Sequence, residues 1–137
     1  MSSASLIVSS SLLEYIQHPD IHLHEFIFKE SSVKAIDEWF THIETLYQLP
    51  QGTPIRVLVD TRQSGAPSLM QSFRKAQTLM KRYPQRPFIR YVFLGSEDQG
   101  LLSRILRTFI ANLRDRSVTQ YLYGSKRAEA IQWLNQA

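Results

Sequence analysis

The chain has 137 residues, 43% apolar and 20% charged, which suits one globular domain with a single core and excludes a disordered polymer. It has no cysteine, which removes disulfides, thiolate metal sites and cysteine nucleophiles, and no run approaches the ~20 consecutive apolar residues of a membrane-spanning helix. The net charge of +4 is uneven: residues 1–68 hold four Lys/Arg against eight Asp/Glu, a net −4, and residues 69–116 hold ten against three, a net +7.

Residues 1–10 read as an N-terminal segment, either flexible or an edge strand, and residues 11–137 as one α/β domain. Met1 to Leu13 carries no basic start, long apolar run or small-residue cleavage site, so the expected location is the cytoplasm. Leu6-Ile7-Val8 is surplus apolar sequence that can pair with a neighbour's edge strand, which makes a homodimer one expectation. Leu12 to Gln17 and Ile21 to Phe28 predict two strands around the turn His18-Pro19-Asp20. Ser31 or Ser32 then caps a helix whose Val33, Ile36, Phe40, Ile43 and Tyr47 share one face, ending near Pro50-Gln51-Gly52.

Ile55 to Val59 is a short aliphatic strand of the kind covered on both faces, and Asp60 ends it. A polar loop runs to Ser68, and Leu69, Phe73, Ala76, Met80 and Tyr83 mark a second amphipathic helix that Pro84 and Pro87 terminate. Phe88 to Leu94 is the next strand. Ser96 and Gln99 form a capping box for a helix from Leu101 to Arg114, Val118 to Tyr123 is a further strand, and Gly124-Ser125 leads into a last helix bearing Ile131 and Leu134. The predicted order is ββαβαβαβα: an N-terminal antiparallel hairpin, then alternating elements in one mixed sheet.

Ligands meet open α/β sheets at the carboxyl ends of the parallel strands. The first such loop carries Asp60, Thr61, Arg62, Ser64, Gly65 and Ser68, a set able to hold a polar partner or present a hydroxyl for phosphorylation. An ordinary turn with a capping acid uses the same residue types. The second is Ser125, Lys126 and Arg127, where two cations open a helix against the preference of its dipole, a candidate anion-binding turn. The outer faces of the second and third helices are also basic, through Arg74, Lys75, Lys81 and Arg82 and through Arg104, Arg107 and Arg114.

His18, His22 and His24 lie close together, and in a strand His22 and His24 share a side, but two ligands do not make a metal site and none is expected. No Gly-x-Ser-x-Gly elbow, Gly-x-x-x-x-Gly-Lys loop, Gly-x-Gly-x-x-Gly turn or His-Glu-x-x-His helix occurs, so neither catalysis nor a cofactor is expected.

The element order, the segment Ile55 to Arg62, the strand Phe88 to Gly95 and the ending Arg127 to Leu134 resemble bacterial STAS-like domains of the SpoIIAA-like type. The resemblance implies a non-catalytic module for protein–protein interaction in signalling. Anti-sigma-factor antagonists of that family bind a partner through the loop and helix after a central strand, with a phosphorylated hydroxyl in Asp-Ser-Ser-Gly. Here Thr61, Arg62 and Gln63 separate Asp60 from Ser64-Gly65, so that motif is not reproduced. Related domains look like the lipid-binding CRAL-TRIO fold, which implies a second reading, a lipid or small apolar ligand between sheet and helices. Nucleic-acid binding follows only from the basic charge and lacks a groove-reading motif.

Overall fold

The structure is a computed structural model that describes residues 4–65, 68–95, 121–124 and 126–136. Its strands are β1 Ser5–Ser9, β2 Leu13–His18, β3 Leu23–Phe28, β4 Ile55–Asp60, β5 Ile89–Leu94 and β6 Tyr121–Gly124. Its α-helices are α1 Val33–Tyr47, α2 Leu69–Arg82 and α3 Arg127–Asn135, and a short 3-10 turn, Pro19–Ile21, joins β2 to β3. The strands form one sheet in the order β1-β2-β3-β4-β5-β6. β1–β2 and β2–β3 pair antiparallel, and the remaining neighbours pair parallel.

The fold is therefore α/β with a mixed sheet, and the expected hairpin, β2–β3, is extended by β1 into a three-stranded antiparallel meander. Ser5–Ser9 supplies the additional strand, joined within its own chain to β2. Two predicted strand starts move inward: Ile21 belongs to the turn, whose end is the left-handed His22, and Phe88 precedes β5 and is exposed. The expected helix from Leu101 to Arg114 and the residues from Val118 to Gln120 lie outside the described residues.

Parallel neighbours taken in sequence with right-handed crossovers put their connecting helices on one face of the sheet. α1 and α2 accordingly share the first face with Leu13, Tyr15, Phe26, Phe28, Val57, Val59 and Tyr91. Ser32 caps α1, its hydroxyl accepting from the Ala35 amide at 3.2 Å, and Ile36, Trp39, Ile43 and Leu46 face the sheet. Val33, placed on that stripe by spacing, is exposed because it stands in the first turn, outside the contact. Among the described side chains of α2, Leu79 is the deeply buried one, one position from the expected Met80, which is only partly covered.

Aromatic rings fill the space beneath α1. Tyr15 stacks on Phe26 at 4.5 Å, and Trp39 meets the edges of Phe26 and Phe40 at 6.3 and 4.8 Å. Among the described residues the second face is smaller: Leu23, Leu58, Val92 and Leu94 pack against Ala130 and Leu134 of α3. β4 is buried from both sides, so its sequence is nearly all aliphatic.

Phe26 is fully buried and touches both aromatic neighbours, so Phe26→Ala is expected to cost about 3–5 kcal/mol in urea denaturation. A loss under about 1 kcal/mol would mean that the cluster relaxes around the gap.

Candidate functional site

Asp60 is the last residue of β4 and lies on the second face. Its Oδ1 accepts from the Arg62 amide and Nε, both at 3.0 Å, and its Oδ2 accepts from Arg62 Nη2 at 2.8 Å. An aspartate bonded to the backbone two residues on closes a tight turn without help from outside. Burial pushes the Asp60 carboxyl up, but the bonds from Arg62 outweigh it and the net direction is down.

Four other residues of the loop also have partners. Thr61 donates from both its amide and its hydroxyl to the Leu94 carbonyl, at 2.8 and 2.9 Å, and is buried. This hydroxyl ties β4 to β5 and is not a surface group for modification. The Gly65 amide donates to the Thr61 carbonyl at 2.9 Å, and its φ of 81° is a conformation that side chains strain to adopt. Ser64 is half-buried and donates to the Gly65 carbonyl, while exposed Ser68 caps α2 by accepting from the Gln71 amide.

The second predicted turn meets the first. Lys126 is the N-cap of α3 without a side-chain capping bond, Arg127 is the first helical residue, and Ser125 lies outside the described residues. Arg127 donates through Nε to Glu25 Oε2 at 2.9 Å and through Nη2 to Glu25 Oε1 at 2.8 Å. Glu25 is the third residue of β3 and is only 3% exposed at its side chain, against 42% for Arg127. His18 Nε2 reaches the same Oε1 at 2.9 Å. Burial pushes the Glu25 carboxyl up, and the bonds from Arg127 and His18 overcome it, so the group sits below the usual carboxylate range.

Asp60 and Arg127 also feel each other's charge, and Arg62 and Arg127 stand near enough to repel. The carboxyl end of β4 and the start of α3 thus form one charged cluster: two buried carboxylates beneath, and above them two guanidinium groups, each about two-fifths exposed. The arginine that opposes the helix dipole does so because a buried carboxylate lies under it. Glu25 was the residue that sequence reasoning overlooked, and its signal is a charge in the middle of an otherwise apolar strand, a placement that requires a partner.

The far end of α3 is held as well. Arg56 donates to the carbonyls of Leu134 and Ile21 at 2.7 and 2.9 Å. Arg90 donates to Leu134 at 3.2 Å and to Gln136, and its guanidinium lies 4.3 Å from the Trp133 ring. Cations at a helix C-terminus complement its dipole.

The histidines separate. His18 and Glu25 are on the second face, His22 leaves the 3-10 turn, and His24 points to the first face, where its Nδ1 and the Tyr15 hydroxyl share a hydrogen bond of 2.6 Å. Among the described residues no three His, Asp or Glu side chains form a metal-binding group. Between α1 and α2 lies a cleft of about 320 Å³, edged by Asp37, Glu44, Lys75 and Arg82, which pair across it as Lys75–Asp37 and Arg82–Glu44. No family model, curated protein or solved structure matches the chain.

Burial, with a smaller contribution from His22, holds His24 down to about 4 from an ordinary 6.5. The unfolded chain therefore binds the extra proton between these values, and stability present above pH 6.5 is lost as pH falls toward 4. In denaturation series over that window, wild type should lose about 2–3 kcal/mol more than His24→Asn, which keeps an acceptor for Tyr15. Parallel pH profiles would contradict this assignment.

Proposed function

We propose that the chain is a non-catalytic binding module of the STAS-like kind that engages another protein through the loop from Asp60 to Ser68 and the start of α2. The supporting observation is the hydrogen bonding of residues 60–65. Asp60 and Gly65 bond within the turn and Thr61 bonds to Leu94, so this part of the loop is ordered before any partner arrives, which lowers the ordering cost of binding. Arg62 stands at its surface on a buried carboxylate, with Arg127 near it, and this edge suits an acidic patch on the partner.

Two other readings find less support. Aromatic packing under α1 occupies the space an apolar ligand would need there. Lys75 and Arg82, basic residues of α2, are engaged with acids of α1, which lowers the positive field available to nucleic acid.

The test is affinity capture with the purified chain, comparing wild type with Arg62→Ala and Ser64→Glu, and with Gln51→Ala at the opposite end of the sheet. A partner of this loop is expected to bind both loop variants at least about tenfold more weakly, a change of about 1.4 kcal/mol, and to bind Gln51→Ala like wild type. Thermal melts establish that the variants are folded. Equal capture by all four proteins would remove the loop from the binding surface, and a lipid found by native mass spectrometry would favour ligand carriage instead.

A further inference from the structure

Three of the chain's four histidines stand in the meander, and the fourth, His42, is on α1. Two of them meet on one tyrosine. Tyr15 of β2 shares a hydrogen bond of 2.6 Å with His24 Nδ1 on β3, and its ring lies 5.0 Å from the His42 ring. Phe26 closes the group, 4.5 Å from Tyr15 and 5.9 Å from His42. Tyr15, His24 and Phe26 are buried, and His42 is half-buried. One ring from the helix and three from the sheet thus fasten α1 to β2 and β3.

Few charges face this group. β4 sets Val57 beside His24, and β2 sets Gln17 on its other side, neither of them ionisable. The turn contributes His22, a like charge when protonated, and α1 contributes Glu38, one helical turn before His42, whose Oε2 already accepts from the Ser10 hydroxyl at 2.8 Å. The other acids of α1, Asp37 and Glu44, are paired with Lys75 and Arg82 of α2. Protons on both imidazoles would place two cations among aromatic rings with one acid to offset them. We propose that Tyr15, His24 and His42 form an acid-operated latch, which holds α1 on the β2–β3 hairpin while both imidazoles are neutral and loosens that contact when they take up protons. Burial holds both imidazoles below the ordinary histidine range, so the closed contact binds protons less well than an open one, and falling pH favours opening. Glu25 and Asp60 sit below the usual carboxylate range, so the second-face cluster keeps its charges while the latch titrates. The opening is local, with the ladders joining β3, β4 and β5 intact. It is separate from the Asp60 loop and does not rest on the binding reading.

Hydrogen exchange of the full chain at about pH 7.5 and about pH 4.5, corrected for the intrinsic pH dependence of exchange, distinguishes this latch from a general loss of stability in acid. In wild type the α1 amides should lose protection at least about tenfold more than the β4 amides on acidification. With His24→Asn and His42→Gln combined, that difference should fall below about twofold, and each single variant should lie between. Trp39 packs on Phe26, so its fluorescence in a Trp133→Phe background follows the same opening, with a midpoint at lower pH in each histidine variant. The wild-type comparison of α1 with β4 decides the matter even where the combined variant does not fold. Equal loss of protection in α1 and β4 overturns the proposal. So do folded single variants in which α1 opens at the wild-type pH and to the wild-type extent.

Discussion

The contact between Glu25 and Arg127 joins the two halves of the molecule, and the second face of the sheet depends on it. β4 is covered from both sides, but among the described residues its second-face cover is a nine-residue helix whose buried residues are Ala130 and Leu134. So small an apolar contact is a weak anchor by the usual value of about 25 cal/mol per Å² of buried apolar surface. Polar anchoring at both ends makes up the difference. Arg127 fixes the start of the helix on a carboxylate within the sheet, while Arg56 and Arg90 hold its last carbonyls. The same contact places Arg127 beside Asp60 and Arg62, so the anchoring of the helix and the shape of the candidate surface share one cause.

The uneven charge along the chain becomes intelligible in these terms. Acids of the first half meet cations of the second across element boundaries: Asp37 with Lys75, Glu44 with Arg82, and Glu25 with Arg127. The exposed helix pairs contribute little each, about 0–1 kcal/mol, but they fix how α2 lies against α1. Glu25 differs because it is buried, and a carboxylate in that position without its guanidinium would oppose folding. Lys75 and Arg82, two of the cations that invite a nucleic-acid reading, are thus used within the molecule.

The sheet-forming runs and the first two helices were legible because their signals are local. Ile55 to Asp60 and Ile89 to Leu94 are dense in β-branched and aliphatic residues, and Ser32 and Ser68 stand where capping hydroxyls belong. β1 was harder, since serines surround a short aliphatic run and the bulge breaks its alternation. The loop from Asp60 to Ser68 was identified by composition, but the task of each residue was not. Thr61 is structural because Leu94, far along the chain, offers its carbonyl there. Likewise Glu25 acquires its role from an arginine 102 positions away, a pairing that no window of local sequence contains.

This long-range ion pair, rather than apolar packing alone, holds α3 on the sheet. A double-mutant cycle with Glu25→Gln, Arg127→Met and the combined variant, read by denaturation and by hydrogen exchange of the α3 amides, tests it most directly. A coupling of about 1–3 kcal/mol is expected, with faster exchange in α3 for either single variant and little further change in the double. Additive effects, with α3 amides as protected in Arg127→Met as in wild type, would contradict it.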